Sequence, residues 1–393
     1  MKVLSLFDGI SAGQVAFERS GIPIEKYYAS EIDPYAIKIT QKNYPNTIQL
    51  GSILYSQTWD IEHPDIIIGG FPCQPYSNAG KRKGLGDKRG GDILDAMFSV
   101  IEKYQPKDLF FENVKGLLSI DNGNTFKFIL KKFNYLGYAV DWIIINSALV
   151  SAQNRERIYI ICKKITDCKN YQISIDKDNK RNYFQSLFES ENNIIVFDSE
   201  VTQPKDKKIF LQDIIETGVT DRTKSYCLDA NYAKGGNEKS YLEQGKRQLI
   251  ITGGAFRGRN PEHPSDRTSG IDTEQCLEVN ETGKSNCLTK DSLCVQIGVA
   301  DIKGNDNIKR VYSVEGKSPC LTAICGGNQE PKISEEKITW RKLTPVECER
   351  LQTLKDNYTD CVSNSRRYHS VGNSWTVDVI SHIFSIILKE VKK

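Results

Sequence analysis

Between residues 1 and 163 short apolar runs alternate with amphipathic segments, and this rhythm narrows the possible folds more than any other feature of the chain. The runs "KVLSLF", "KYYAS", "DIIIGG", "DLFFENV", "AVDWIIIN" and "RIYIIC" are predicted to be buried strands. Between them "GQVAFERSG", "YAIKITQKNY", "DILDAMFSVIEKY" and "TFKFILKKFNYLG" carry apolar residues at helical spacing. Runs that are apolar almost throughout need cover on both faces, which helices on either side of a sheet provide. Strand, helix, strand repeated in this way predicts an α/β fold with a doubly wound, mostly parallel sheet. Ligands of such sheets bind beyond the carboxyl ends of the strands, so each strand end is a place to look for chemistry.

The rhythm stops near residue 164. From 164 to 338 the chain has charge-rich loops, many glycines and short alternating segments, which predict a smaller β-rich domain. A Cys-Leu pair recurs there in "SYCLDANYAKGG", "EQCLEVNETG", "SNCLTKD" and "SPCLTAICGGNQ", with spacing too irregular for a solenoid. Those cysteines read as small buried side chains. Helical periodicity returns in "KLTPVECERLQTL", and in "VGNSWTVDVISHIFSIILKEV" a Gly-Asn turn leads into an amphipathic helix. Residues 339–393 are too few for a third core and are expected to pack back on residues 1–163, which makes 164–338 an insertion.

Several classes are set aside by what the chain lacks. No stretch approaches the roughly 18 consecutive apolar residues of a membrane span, and the N-terminus meets Asp8 too soon for a signal peptide, so a cytoplasmic protein without membrane association is expected. The 11 cysteines are an odd number without C-x-x-C spacing, and the 4 histidines stand apart, which argues for reduced thiols and against a metal site. A net charge of +3 is too small to identify a polyanionic partner.

The strand ends carry the chemistry. "LSLFDGISAG" enters a glycine turn without the G-x-G-x-x-G spacing for a pyrophosphate, and "ASEID" places Glu31 where an acidic residue can bind ribose hydroxyls. Together they fit an adenosine without phosphates, as in S-adenosylmethionine. After "DIIIGG" comes Cys73, fixed between Pro72 and Pro75, and a thiol held on one trajectory suits nucleophilic attack on a planar group. Glu112 follows two phenylalanines, which predicts a desolvated carboxyl able to donate a proton. Arg155 and Arg157, two apart at the start of a strand, share a face.

The pieces "LFDGISAG", "ASEID", "GGFPCQPYSNAGKRKG", "FFENVKGLLS", "DNGNT", "QNRERIYIIC", "RKLTPVECERLQ" and "VGNSWTVDV" resemble, in order, the motifs of the DNA (cytosine-5) methyltransferases and cover nearly all of the chain outside the insertion. The resemblance implies a class I S-adenosylmethionine-dependent methyltransferase fold with an inserted target-recognition domain. It implies that Cys73 attacks C6 of cytosine, that Glu112 serves N3, and that Arg157, with Arg155 behind it, binds O2. Stacking blocks attack on C6 in a duplex, so the base must swing out. Residues 77–91 resemble the family's mobile loop, which implies DNA contacts from Gln74, Ser77, Lys81, Arg82, Lys83 and Arg89. Cofactor contacts are implied for Phe7, Asp8, Gly9, Ile10, Glu31, Ile32, Ser52, Ile53, Pro72, Asn373 and Ser374. The chain departs from the family pattern at Ser5, often aspartate in bacterial members, and at Ser52, which replaces the aspartate that bonds the adenine amino group. In the insertion, "FRGRN" offers Arg257 and Arg259 to DNA.

The implied function is DNA methylation at C5 of cytosine within a short duplex sequence, in a restriction-modification system or phage self-protection. The implied protein is a nucleoid-associated monomer, with a cognate restriction endonuclease as a candidate partner. A tRNA cytosine-5 methyltransferase shares these motifs, but such relatives usually have a shorter insert. A cysteine-dependent hydrolase would need a histidine base, which the motifs lack, and a catalytically dead DNA-binding relative is opposed by the intact Cys73, Glu112 and Arg157.

Overall fold

The computed structural model describes residues 1–72, 88–167, 171–172, 194–220, 222–232, 248, 250–251, 255–259, 274–278, 298–299, 310–313, 332–334 and 340–389. The chain divides into two compact units, the larger formed by Met1–Ile214, Lys224–Gly235 and Thr344–Lys393, the smaller by Ile215–Thr223 and Gly236–Leu343.

In the larger unit the described strands are β1 (Lys2–Leu6), β2 (Lys26–Ser30), β3 (Ile48–Gln49), β4 (Ile66–Gly70), β5 (Asp108–Val114), β6 (Tyr138–Asn146), β7 (Glu156–Lys164), β8 (Tyr171–Gln172) and β9 (Val196–Phe197). They form one sheet in the order β3-β2-β1-β4-β5-β7-β6-β9-β8. Pairing is parallel from β3 through β5, then antiparallel where β7 lies between β5 and β6. The reversal follows from the linker: residues 147–155 are too few for a crossover helix, so β6 and β7 can only form a hairpin. The sheet is thus doubly wound and mostly parallel, as the alternation predicts.

Strand alternation sends neighbouring residues to opposite faces. Leu4, Leu6, Ile67 and Phe111 pack on one side with Met97 and Ile101 of helix α3 (Lys88–Tyr104) and with Ile129 and Phe133 of α4 (Asn124–Tyr135). On the other side Val3, Ile68 and Phe110 meet Phe17 of α1 (Ala12–Ser20), and Ile39 of α2 (Pro34–Asn43) joins the same cluster. This second face also receives the C-terminal helices. After α5 (Pro345–Leu351) and α6 (Asn364–Asn373), α7 (Val377–Ile387) lays Phe384 against Phe17 at 4.4 Å and Phe110 at 5.0 Å. Residues more than 350 positions apart in sequence therefore share one core.

Local signals explain the helix starts. Asp33 caps α2 by accepting the Tyr35 N–H, with Pro34 at the first position. Thr344 and Glu347 form a reciprocal capping box on α5. The reading of Gly372-Asn373 as a turn is corrected: both end α6, whose sequence "NSRRYHSVGN" lacks an apolar stripe. Its inward face mixes Tyr368 and Val371 with polar groups, of which Arg367 donates to the buried carboxylate of Glu349 at 2.9 Å.

The change of pattern at 164 comes before the edge of the larger unit. β9 pairs beside β6, Ser225 bridges to Gln153, and the Lys224 ammonium donates to the carbonyls of Ala148, Ser151 and Ile209. These bonds build residues 194–214 and 224–232 into the larger unit. In the smaller unit every described element is a strand. β10 (Val219–Thr220), β11 (Ile250–Ile251) and β17 (Trp340–Arg341) form one sheet, and β12 (Ala255–Arg259) pairs antiparallel with β13 (Glu274–Glu278). β14 (Gly298–Val299), β15 (Arg310–Ser313) and β16 (Lys332–Ser334) form another.

Candidate active site

The first strand end is held in an unusual conformation. Phe7, Gly9 and Ser11 all have φ near +60°, so two non-glycine residues occupy the left-handed region within one turn. Such backbone persists only where the surroundings fix it. Here the carboxylate of Glu31, at the end of β2, does so by accepting the N–H groups of Gly9 (2.8 Å), Ile32 (2.7 Å) and Asp33 (2.9 Å). A carboxylate has about four acceptor positions, so one remains after these three bonds. Asp8 accepts hydroxyl hydrogens from Ser11 and Tyr27, each at 2.7 Å. Burial raises its pKa from the usual 3.8 to about 6, against the hydroxyls of Ser5, Ser11 and Tyr27 and with a contribution from Glu31.

Beside this loop Ile32, 73% exposed, and Leu54 and Tyr55 present apolar surface at neighbouring strand ends. Ser52 accepts the Leu54 N–H at 3.3 Å and caps a 3₁₀ turn, whereas the side chain of Ile53 is packed in the core. Ile10 is likewise buried.

The second strand end brings acid and arginine together. Glu112 at the end of β5 receives Nε of Arg157 from β7 at 3.0 Å, with only 12% and 15% of the two side chains exposed. The desolvated carboxyl expected after Phe110-Phe111 is thus one half of an ion pair, and the two rings turn into the core on opposite faces of the sheet. Gly70 makes room for this pair, since a Cβ there would stand 3.3 Å from Glu112 Oε2 and 3.0 Å from Trp375 Nε1. Asn113 donates to the Phe71 carbonyl at 3.2 Å, which fixes the main chain just before the exposed Pro72.

Arg155 and Arg157 share a face yet end differently. Buried Arg155 donates through Nη1 to the carbonyls of Leu228 (2.9 Å) and Gly372 (3.3 Å) and through Nη2 to that of Ser374 (3.0 Å). Burial, then the charge of Arg157, lowers its pKa. Arg157 also donates to the Glu156 carbonyl at 2.8 Å. Burial would lower its pKa, but Cys227 and Glu112 outweigh that and raise it.

Of the Cys-Leu cysteines read as buried side chains, Cys227 departs from that reading, while Cys287, Cys320 and the side chain of Cys276 lie outside the described residues. Cys227 is exposed, and its sulfur lies 3.5 Å from Arg155 Nη1 and 3.5 Å from Arg157 Nη2. Burial of the sulfur pushes its pKa up, yet the two guanidinium charges prevail and hold it below the ordinary thiol value. Neither Cys227 nor Trp375 was assigned to the site from the sequence. Trp375 could have been suspected, since it directly follows Asn373 and Ser374; the Cys-Leu pattern at Cys227 carries no sign of the two arginines it meets. Asn373 is exposed with its amide 3.4 Å from His369 Nε2, and the Ser374 hydroxyl donates to the Trp375 carbonyl.

Cys73, Gln74, Ser77, Lys81, Arg82 and Lys83 lie outside the described residues, and of Arg89 only its place in α3 is described. Arg257 and Arg259 stand on β12 opposite Cys276 and Glu274 of β13. Among the described residues no group of His, Cys, Asp or Glu could hold a metal ion, and no helix is long and apolar enough to cross a membrane.

Strand order and motif spacing agree with known proteins. The sequence pattern of the C-5 cytosine-specific DNA methylases matches residues 1–389. The chain belongs to this family. It is a DNA cytosine-5 methyltransferase, an enzyme that acts on DNA and requires a methyl donor. The chain is 32% identical over 364 residues to the orphan methyltransferase M.Rho11sI of Bacillus phage rho11s, covering 86% of this chain and 70% of that protein. It is 27% identical over 419 residues to the type II methyltransferase M.HgiCI of Herpetosiphon aurantiacus, covering 99% and 98%. Among solved structures, the fold is similar to the Dnmt2 methyltransferase of S. pombe (TM-score 0.55, 15% identity, 99% of each chain). It is also similar to a putative DNA modification methyltransferase encoded within an E. coli prophage (TM-score 0.52, 17% identity, 100% of each chain). At such identities the likeness is one of fold.

Proposed function

We propose that this methylase transfers the methyl group of S-adenosylmethionine to C5 of a cytosine swung out of duplex DNA, within a specific short sequence. The observation that carries the assignment of roles is the Glu112–Arg157 pair at the carboxyl end of the sheet, beside Gly70 and only three residues beyond it from Cys73. The donor fits the first strand end: Glu31 retains an acceptor position for a ribose hydroxyl, and exposed Ile32 offers an apolar face to adenine. When bound, S-adenosylmethionine supplies the methyl group from its sulfonium.

The chain's own residues do the rest. Cys73 adds to C6 of the flipped base, and Glu112 hydrogen-bonds or protonates N3, without which C6 is a poor electrophile. Arg157 binds O2 and the negative charge that develops there. Addition at C6 makes C5 nucleophilic; after it is methylated, C5 loses its proton and the Cys73 thiolate is expelled. Arg155 holds main chain around the site. Gln74, Ser77, Lys81, Arg82, Lys83 and Arg89 contact the DNA backbone, and Arg257 and Arg259 in the inserted target-recognition domain contact phosphates or guanines.

Relatives that are orphan phage methyltransferases and type II methyltransferases support self-protection of a phage or a restriction-modification role, the latter beside a cognate endonuclease. The enzyme acts as a monomer at the nucleoid. Bisulfite sequencing of DNA from cells expressing the chain is expected to show one methylated sequence context, and duplexes carrying 5-fluorocytosine there should become covalently joined to the protein. Cys73→Ser is expected to abolish both methylation and adduct while leaving S-adenosylmethionine binding nearly intact. Turnover by Cys73→Ser would overturn the mechanism.

A further inference from the structure

Arginine has five N–H hydrogens in a rigid planar fork. In Arg157 three of them are engaged at three different nitrogens: Nε with Glu112, Nη1 with the Glu156 carbonyl and Nη2 with Cys227. One hydrogen remains on each Nη, which is the arrangement for gripping a single carbonyl oxygen through both its lone pairs. Of the three contacts that fix the fork, those to Glu112 and Glu156 are short bonds to oxygen. The third, to Cys227, is made to sulfur at 3.5 Å.

The sulfur is itself anchored. Arg155 Nη1 reaches it from the framework, and Arg155 is held by the carbonyls of Leu228, Gly372 and Ser374. Cys227 therefore stands between an arginine that belongs to the scaffold and one that faces the chemistry. Its S–H points to the Leu228 carbonyl at 3.4 Å, which leaves the sulfur lone pairs to accept from the two arginines, and a weak neutral acceptor suits the position. A carboxylate there would clamp the fork bidentately and compete for the hydrogens that the base requires.

We propose that Cys227 is a positioning residue for methyl transfer, fixing the Nη2 end of Arg157 so that the remaining hydrogens meet O2 of the target cytosine. This rests on the reading of Arg157 as the O2 ligand. It adds a side chain from the segment that leads into the inserted unit to the groups that orient the base.

The test uses the full chain, its Cys227→Ala and Cys227→Ser variants, and an unmethylated duplex carrying the sequence found by bisulfite mapping. Cys227→Ala is expected to lower kcat about tenfold, with KM for DNA and the melting temperature close to those of the wild type. Cys227→Ser, which keeps an acceptor, is expected to regain most of the loss. A kcat for Cys227→Ala within twofold of the wild type would overturn the proposal. So would a loss that tracks a lowered melting temperature and is not regained by serine, since that marks a packing role. Wild-type protein is trapped on 5-fluorocytosine DNA in parallel: a missing adduct refutes methyl transfer itself and the inference with it, whereas an adduct leaves the variants to judge Cys227 alone.

Discussion

Replacing each of the two arginines by lysine should separate two roles that sequence spacing cannot distinguish. Arg155 is 4% exposed and bonds three main-chain carbonyls from two nitrogens. A lysine presents one compact ammonium on a shorter reach and cannot satisfy all three. Hydrogen bonds to a charged group contribute about 1.5–3 kcal/mol each, so losing one or two of them should destabilise the larger unit by about 3 kcal/mol. At about 2–4 °C per kcal/mol for a domain of this size, Arg155→Lys should melt about 6–12 °C lower by calorimetry. Well below that temperature its kcat should stay within about threefold of the wild type, since the guanidinium holds main chain and not substrate. Arg157→Lys should behave in the opposite way. Its contacts lie at the rim of the site, so melting should shift less, but kcat should fall about 100-fold because a point charge cannot bond Glu112 and still offer a fork to O2. If Arg155→Lys melts normally and yet loses turnover, Arg155 acts on the substrate and the division argued here is wrong.

Three further outcomes follow from the same geometry. The Asp8 carboxyl has a folded pKa raised to about 6, so the native state favours its protonated form; its contribution to stability is complete below pH 3.8 and is lost as pH rises through 6. Ionisation should withdraw up to about 3 kcal/mol between those limits, and urea titrations from pH 4 to 8 should show that fall in the wild type and not in Asp8→Asn. Gly70→Ala puts a methyl group against Glu112 Oε2 and Trp375 Nε1; single-turnover methylation should slow at least tenfold, while a far-ultraviolet circular dichroism spectrum like that of the wild type shows the fold retained. Glu349→Gln places an amide where a fully buried carboxylate accepts from Arg367 and from the N–H groups of Asn357 and Thr359. Leaving the Arg367 charge unpaired should lower unfolding free energy by about 3–5 kcal/mol in urea, and an unchanged midpoint would refute the importance of that pair.

What the sequence made legible was apolar periodicity. The six long strands and the first four helices carry their own pattern, because each buries apolar side chains that lie close together in the chain. Helix α6 was not legible for the same reason: Arg367 and Gly372 face inward, Arg367 paired with a carboxylate on α5 and Gly372 in close approach to the main chain of Asp229. Glu112 could be found from its strand end, but its pairing with Arg157 required the reversed register of β7 against β5, which comes from a short linker and not from composition. Cys227 lies 70 residues beyond Arg157 in sequence, and the general tendency of cysteine to be buried pointed the wrong way; two guanidinium groups reverse it.

The hidden contacts share a physical purpose. Arg155 bonds Leu228, just before the chain enters the main part of the smaller unit, and also Gly372 and Ser374, after the chain has returned. One guanidinium thereby ties together both flanks of the insertion at the place where Cys227 meets Arg157. Glu112, Arg155, Arg157 and Cys227 all belong to the larger unit, so the pairing that orients the base is built there. A substitution at Cys227 should slow methylation at every DNA sequence alike, whereas substitutions in the smaller unit should change which sequence is methylated.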